Sequence, residues 1–161
     1  MSPPRAPFAA RIALLPPPGE ADRHTLALTL WGEARGEGVV GMAAVAAVIV
    51  NRMLASARLI ERGRQAAWWG GPDAVSVCRA PWQFSCWNQG DPNRAKLLSL
   101  APDAAVLTAA RTVADAALDG RLGDPSFGAD HYHTRAVRPA WARGRRPVIA
   151  IGRHQFYTLG P

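Results

Sequence analysis

The hydrophobic pattern of the chain is dominated by one long apolar segment. Residues 39–57 read VVGMAAVAAVIVNRMLASA, and they are apolar on every side until Asn51 and Arg52. A helix that is hydrophobic all round belongs in the interior of a domain rather than on its surface. The pattern therefore predicts a central buried helix.

Shorter helices are predicted before and after this segment. Residues 26–31, LALTLW, favour a helix that Asp22 or Thr25 could cap and that begins to fray at Gly32. Residues 103–118 have the clearest amphipathic spacing, because their apolar side chains recur three and four positions apart.

The other segments lack this periodicity. Residues 75–93 are rich in aromatic and amide side chains and are predicted to form a loop, followed by a short helix over residues 93–98. Residues 123–134 are interpreted as a polar loop, and residues 147–159 have the β-branched and aromatic content of a short strand or hairpin. We therefore expect an α+β fold, mainly α, with a buried central helix and a small β hairpin.

The length of 161 residues fits one domain, which we place at residues 22–161 after a flexible Pro-rich tail of residues 1–21. The apolar core of that tail, IALL, is shorter than the hydrophobic region of a signal peptide. The longest apolar run, residues 39–50, is shorter than the roughly 18 residues of a membrane span. We expect synthesis in the cytoplasm without a signal peptide and no membrane insertion.

The charge of the chain is strongly positive and uneven. The formal net charge is +7, and Lys96 is the only lysine. After residue 127 six arginines stand against the single acid Asp130: Arg135, Arg138, Arg143, Arg145, Arg146 and Arg153. This asymmetry predicts attraction to a polyanionic partner without specifying which one.

Glu33 is the candidate catalytic residue. It follows Gly32 directly and lies two residues after Trp31. A carboxyl against an aromatic wall in a poorly solvated cleft has a raised pKa, so it can act as a general acid near neutral pH. Cleavage of a glycosidic bond requires such an acid to protonate the leaving oxygen. The alternative is a surface ion pair with Arg35 or Arg52.

Glu37 follows four residues later. We interpret it as a helix-start residue, because an acid near a helix N-terminus is favoured by the helix dipole. No other acid is an evident second catalytic carboxylate.

The histidines His131, His133 and His154 form a competing candidate site. HYH places two imidazoles on the same side of an extended segment, and His154 could complete a zinc-like set. No carboxylate or cysteine stands at a supporting spacing. Hydrogen-bonding or substrate-lining roles are therefore favoured, and we expect no cofactor.

Residues 82–93, WQFSCWNQGDPN, combine flat aromatic faces with amides and a hydroxyl, as a sugar-binding groove would. A loop folded onto the core by its tryptophans is an equal alternative. Single-stranded nucleic acid also suits arginine beside aromatics, but no nucleic-acid-binding motif accompanies the stretch. Cys78 and Cys86 flank its start, and they leave open a disulfide or two buried free thiols.

Four segments taken together resemble one family. They are LTLWGEARGEGVVGMAAVAAVIVNR (residues 28–52), CRAPWQFSCWN (residues 78–88), ADHYHT (residues 129–134) and WARGRRPVIAIGRHQFY (residues 141–157). In order and spacing they resemble the SleB-like cell wall hydrolases, which include spore-cortex-lytic enzymes and phage-type lysins. The first segment is the specific part of the resemblance.

The resemblance implies a lysozyme-like, lytic transglycosylase-like domain that cleaves peptidoglycan between N-acetylmuramic acid and N-acetylglucosamine, giving 1,6-anhydromuramic ends. It implies Glu33 as general acid and base. The cleft residues carried over by motif are Gln83, Phe84, Ser85, His131, Tyr132 and His154. Two alternatives stay open: a metal-dependent N-acetylmuramoyl-L-alanine amidase using the histidines, and a non-catalytic basic module that binds murein or nucleic acid.

No wall-binding repeat is evident within these 161 residues, so we expect a compact phage or prophage type of endolysin more than a spore enzyme. This implies a monomer that acts on the wall after release, through a holin or another release system, and that has no specific nucleic-acid partner.

Overall fold

The structure is a computed structural model, and it describes residues 8–161. Its helices, in chain order, are α1 Phe8–Arg11, α2 Glu20–Ala34, α3 Gly38–Glu61, α4 Ala74–Arg79, α5 Pro92–Ser99 and α6 Thr108–Leu118. Its strands are β1 His131–Thr134, β2 Ile149–Ile151 and β3 His154–Tyr157. Short 3-10 turns lie at Ile12–Leu14, Arg35–Glu37, Ser85–Trp87, Ala105–Leu107 and Ala140–Ala142.

The central buried helix is α3, as predicted. Every side chain from residue 44 to residue 54 is buried, and α2, α4 and α6 pack around it. Within the described residues one helical stretch, Glu20–Glu61, has the length and hydropathy of a membrane span. Of its apolar window 72% is buried inside the protein, as in the core helix of a folded domain.

Helix α2 differs from its prediction at both ends. It begins after Gly19, whose N–H donates to Asp22 Oδ2 at 3.0 Å, so neither Asp22 nor Thr25 is the N-cap. It also continues past Gly32. A Cβ at Gly32 would lie 2.8 Å from the Cβ of Cys86, so glycine is needed for close packing rather than for helix termination. Glu33 consequently lies in the last helical turn.

Part of the predicted tail, residues 1–21, has regular structure. Residues 8–14 form α1 and a 3-10 turn, and Phe8 is completely buried in the main core. Burial of one aromatic side chain is worth about 1.5–3 kcal/mol, which offsets part of the entropy cost of ordering this segment. Residues 1–7 of the predicted tail lie outside the described residues.

The segments between α3 and the sheet are more helical than predicted. Helix α4 overlaps the start of the region predicted as a loop, and Asp73 caps it by accepting a hydrogen bond from Ser76 N at 2.8 Å. Helix α5 confirms the short helix predicted over residues 93–98. Helix α6 begins five residues later than predicted, after a 3-10 turn.

The predicted hairpin is present as β2 and β3, and β1 joins it to give an antiparallel sheet in the order β1-β3-β2. Strand β1 is the HYHT segment that the pattern assigned to a polar loop. It forms a strand because it pairs with β3, with His131 opposite Tyr157 and Thr134 opposite His154. Tertiary pairing decided the structure here, against a local preference for a loop.

Candidate active site

A cleft of about 690 Å³ runs between the end of α2, the loop after α4, and the β1 edge of the sheet. Its lining includes most of the polar side chains singled out in the sequence. The lining residues are Gly32, Glu33, Arg52, Trp68, Trp82, Gln83, Ser85, Asn88, His131, Tyr132, His133, Thr134, Val137, Pro139, Trp141 and His154.

Glu33 is fixed in this cleft by three hydrogen-bond donors. Its Oε1 accepts from Cys86 N at 3.1 Å and from Ser85 Oγ at 3.4 Å, and its Oε2 accepts from Tyr132 Oη at 2.9 Å. Within the described chain neither Arg35 nor Arg52 forms an ion pair with it, so the alternative of a surface ion pair is wrong. The carboxyl is half-buried and held by neutral donors only.

Tyr132 connects Glu33 to the sheet. Its ring packs against His154, at a centroid distance of 5.0 Å, and against Phe156, at 5.7 Å. Burial, followed by the adjacent Glu33 carboxylate, raises the pKa of the Tyr132 phenol well above its ordinary value. The phenol therefore stays protonated and keeps its capacity to donate.

Glu33 is the only carboxylate that lines the cleft within residues 8–161. Glu37, four residues later, points to the β2–β3 turn instead. Its Oε1 accepts from Arg153 Nε at 2.7 Å and its Oε2 from Arg153 N at 3.0 Å. It stands at the N-cap position of α3, but its side chain makes no capping bond.

Arg52 is a cleft residue that the sequence analysis did not identify as functional. Although only 5% exposed, it lines the cleft. Its Nε donates to Asp130 O at 2.7 Å and its Nη1 to Gln83 Oε1 at 3.2 Å. Desolvation lowers the pKa of the guanidinium below its ordinary value, but an arginine remains cationic at neutral pH. The signal available was a charged residue inside an otherwise apolar helix.

His131 is held in one orientation by Asp130. Its Nδ1 lies 2.7 Å from Asp130 Oδ1, and the same carboxylate accepts from Leu159 N and Gly160 N. The hydrogen bond from His131, then those from the two backbone N–H groups, hold the pKa of Asp130 below its usual value despite its burial. The bond between the two side chains leaves Nε2 of His131 available to a ligand in the cleft.

The three histidines do not form the zinc-like set. In the register of β1 and β3, His131 and His133 lie on one face of the sheet, while His154 lies on the other face with Tyr132. Both ring nitrogens of His133 are engaged, by Thr134 O at 2.8 Å and Tyr157 Oη at 3.0 Å. No group of three potential metal ligands occurs in the part of the chain that the structure describes.

The QFS segment divides between the cleft and the core. Gln83 and Ser85 line the cleft. Phe84 does not line the cleft. It is only 1% exposed, and its ring contacts the Tyr132 ring and the Arg52 guanidinium. Its assignment as a cleft residue is therefore corrected, because its ring is buried in the main core.

Three tryptophans line the cleft with exposed or half-buried rings: Trp68, Trp82 and Trp141. Trp82 is 82% exposed and has a φ of 64°, a conformation that costs free energy for a bulky residue. Large apolar rings beside amides provide a surface for a ligand with apolar faces and hydroxyl edges.

Cys78 and Cys86 are free buried thiols in the structure, so the candidate disulfide is not formed. Burial raises the pKa of Cys78 to about 12, and burial followed by the nearby Glu33 raises that of Cys86. Both therefore behave as packing residues rather than as nucleophiles.

The model of the family described as Cell Wall Hydrolase matches residues 36–157. The chain belongs to the cell wall hydrolase family. This confirms the resemblance and places the chain among enzymes rather than among non-catalytic binding modules. Glu33 lies just before the matched range, so the family match does not bear on it, and only the geometry of the cleft indicates its role.

The hydrolase is also similar to individual proteins. The spore cortex-lytic enzyme of Halalkalibacterium halodurans is 35% identical over 137 residues, which are 84% of this chain and 34% of that protein. The chain therefore spans about a third of that relative's length.

Two solved structures share the fold. One is the catalytic domain of the SleB protein of Bacillus cereus, with a TM-score of 0.65 over 89% of this chain and 94% of that one. The other is the catalytic domain of SleB from Bacillus anthracis, described as a germination-specific lytic transglycosylase, with a TM-score of 0.62 over 86% of this chain and 94% of that one. Both are 24% identical, and they confirm the predicted fold class.

Proposed function

We propose that this protein cleaves the glycan strand of peptidoglycan between N-acetylmuramic acid and N-acetylglucosamine as a lytic transglycosylase. The observation that carries the proposal is a single carboxylate, Glu33, held by three donors in a long cleft lined by aromatic rings. The names of the spore cortex-lytic enzyme and of the lytic transglycosylase SleB support the choice of substrate and reaction.

The number of carboxylates favours transglycosylation over hydrolysis. Glycosidases that hydrolyse with retention use two carboxyl groups about 5–5.5 Å apart, and inverting enzymes use two that are further apart. Glu33 is the only carboxylate that lines the cleft in residues 8–161, and Glu37 is engaged by Arg153. One carboxyl group suffices if the nucleophile is a hydroxyl of the substrate itself.

In the proposed reaction the protonated Glu33 donates its proton to the glycosidic oxygen as the bond from C1 of the muramyl sugar to that oxygen breaks. The resulting carboxylate then takes the proton of the muramyl 6-hydroxyl, whose oxygen closes on C1. The products are a 1,6-anhydromuramyl end and a free hydroxyl on N-acetylglucosamine, and no water is consumed. Tyr132 and the Cys86 N–H stabilise the carboxylate stage between the two proton transfers.

The test is mass spectrometry of peptidoglycan digested by the wild type and by Glu33→Gln. We expect anhydro ends from the wild type and none from the variant. Reducible muramic acid ends as the main product would show simple hydrolysis and contradict the transglycosylase mechanism.

The same digestion in EDTA addresses the amidase alternative. We expect full glycan cleavage and no new amino termini from the stem peptides. Loss of cleavage in EDTA, or release of stem peptides, would favour the amidase.

A further inference from the structure

A second pocket, of about 500 Å³, lies beside the cleft and shares His133 and Pro139 with it. Three arginines line this pocket: Arg135, Arg138 and Arg143. No acidic residue lines it within residues 8–161, and the one acid of this region, Asp130, is already engaged by His131 and two backbone N–H groups. We refer to it as the arginine pocket.

The arginines of this pocket differ from others in the protein. Arg23 and Arg111 each pair with carboxylates at 3.0 Å or less. Among the described residues, by contrast, the side chains of Arg135, Arg138 and Arg143 have no hydrogen-bond or ion-pair partner. Three guanidinium groups around one concavity and without counter-charges favour an anion, and a carboxylate matches the paired N–H donors of arginine.

We propose that the arginine pocket is a subsite that binds a free carboxylate of the peptide stem carried by the muramyl sugar in the cleft. The inference rests on the proposed function for the identity of the polymer. A stem of three to five residues spans about 10–18 Å when extended, so it reaches from a sugar in the cleft into the adjoining pocket. The subsite makes the enzyme prefer glycan strands that keep their stems.

The competing explanation is general electrostatic attraction of the polymer to the basic surface, to which every arginine of this region would contribute equally. The chain offers a matched control. Arg145 and Arg146 follow Arg143 closely and carry the same charge, but they do not line the pocket. The double variant Arg138→Gln/Arg143→Gln and the control Arg145→Gln/Arg146→Gln change the net charge equally.

The experiment measures cleavage rates of both variants and the wild type on two soluble substrates, glycan strands with intact stems and strands stripped of their stems by an amidase. We expect the wild type to prefer the stem-bearing strands. In the pocket variant the ratio of the rate on stem-bearing strands to the rate on stripped strands should fall about five- to tenfold, as expected from the loss of partly solvated charge pairs. The control variant should keep the preference of the wild type.

A binding measurement separates this inference from the proposed function. Calorimetry with the free stem peptide and with its fully amidated form needs no catalysis. We expect the Arg138/Arg143 pocket variant to weaken binding of the free peptide and the control not to, with the amidated form binding weakly to all three proteins. Equal effects of the two variants, or equal binding of the two peptides, would overturn the subsite. Failure of the wild type to cleave either strand would instead overturn the proposed function.

Discussion

Glu33 and Glu37 stand four residues apart in the same GEARGE segment, but the protein uses them in opposite ways. Glu33, at the end of α2, faces the cleft and is held by three neutral donors. Glu37, at the start of α3, faces the turn between β2 and β3 and forms an ion pair with Arg153. The hydrogen bonds from the Arg153 side chain and backbone lower the pKa of Glu37 below its ordinary 4.5.

The difference shows what makes a carboxyl group available for chemistry. A carboxylate paired with a cation resists protonation, so Glu37 is a poor acid near neutral pH and a good anchor. Glu33 has no cationic partner in the described structure, and its donors are one backbone N–H and two hydroxyl groups. The anchor also serves the cleft, because the turn that Glu37 holds leads into His154, which lines it.

The strongest test of this contrast is the pair of variants Glu33→Gln and Glu37→Gln. Glu33→Gln should lower kcat about 10²–10⁴-fold, the usual contribution of a general acid or base, without loss of folding. Glu37→Gln should keep activity of the same order as the wild type. Initial rates on purified peptidoglycan, with circular dichroism as a folding control, measure both. Equal losses in the two variants would remove the distinction between catalyst and anchor.

Part of this contrast was predictable from the sequence. The long apolar run predicted α3, and the motif singled out Glu33, which the structure places in the cleft, because both signals are local. The role of Glu37 was not predictable in this way: its partner Arg153 is distant in the chain, and it meets Glu37 only when β2 and β3 form their turn.

The same limit explains the other differences from prediction. Arg52 is held in the cleft by hydrogen bonds to the Asp130 carbonyl and to Gln83, and both partners lie in distant segments of the chain. The HYHT segment becomes a strand only by pairing with β3. Phe84 was assigned to the cleft from its motif, and its burial depends on which face of the loop meets Tyr132. Long-range contacts decided each of these positions.

The second prediction removes one of the three hydrogen bonds that hold Glu33. Tyr132→Phe removes the phenol that donates to Glu33 Oε2 at 2.9 Å and keeps the ring that packs on Phe156. A hydrogen bond to a charged group is worth about 1.5–3 kcal/mol, so kcat should fall about 10- to 100-fold with little change in KM. Steady-state kinetics on soluble glycan strands measure the two constants. A change in KM alone would mean that Tyr132 binds substrate and does not orient Glu33.

The third prediction adds a side-chain carbon at Gly152, next to the Glu37 carboxylate. Gly152 has a φ of 55°, and a Cβ there would overlap the Glu37 carboxylate. Gly152→Ala should destabilise the protein by about 1–3 kcal/mol, part from the left-handed backbone and part from the displaced carboxylate. Gly63→Ala, with a φ of 71° and open space around it, is the control for the backbone part alone.

Urea denaturation of the two glycine variants, alone and combined with Glu37→Ala, completes the test. The cost of Gly152→Ala should shrink toward that of Gly63→Ala when Glu37 is truncated, whereas the cost of Gly63→Ala should not change. Equal costs for Gly152→Ala with and without Glu37 would mean that the carboxylate does not restrain this turn.

The smallest expected effect is the pH dependence of the Glu37 anchor. Because folding lowers the pKa of Glu37, its ionised form contributes stability that is complete above its unfolded pKa of 4.5 and is lost as the pH falls through the lower folded value.

The size of this contribution is limited by solvent. Arg153 is 76% exposed, so solvent screening limits the ion pair with Glu37 to roughly 0.2–1 kcal/mol. Glu37→Gln should therefore lower the free energy of unfolding by this amount at pH 7, and by less at about pH 3, because that pH lies below the unfolded pKa, where part of this stability has already been lost. Urea denaturation of both proteins at the two pH values measures the difference. A difference that stays constant with pH would show that Glu37 acts through packing and not through its charge.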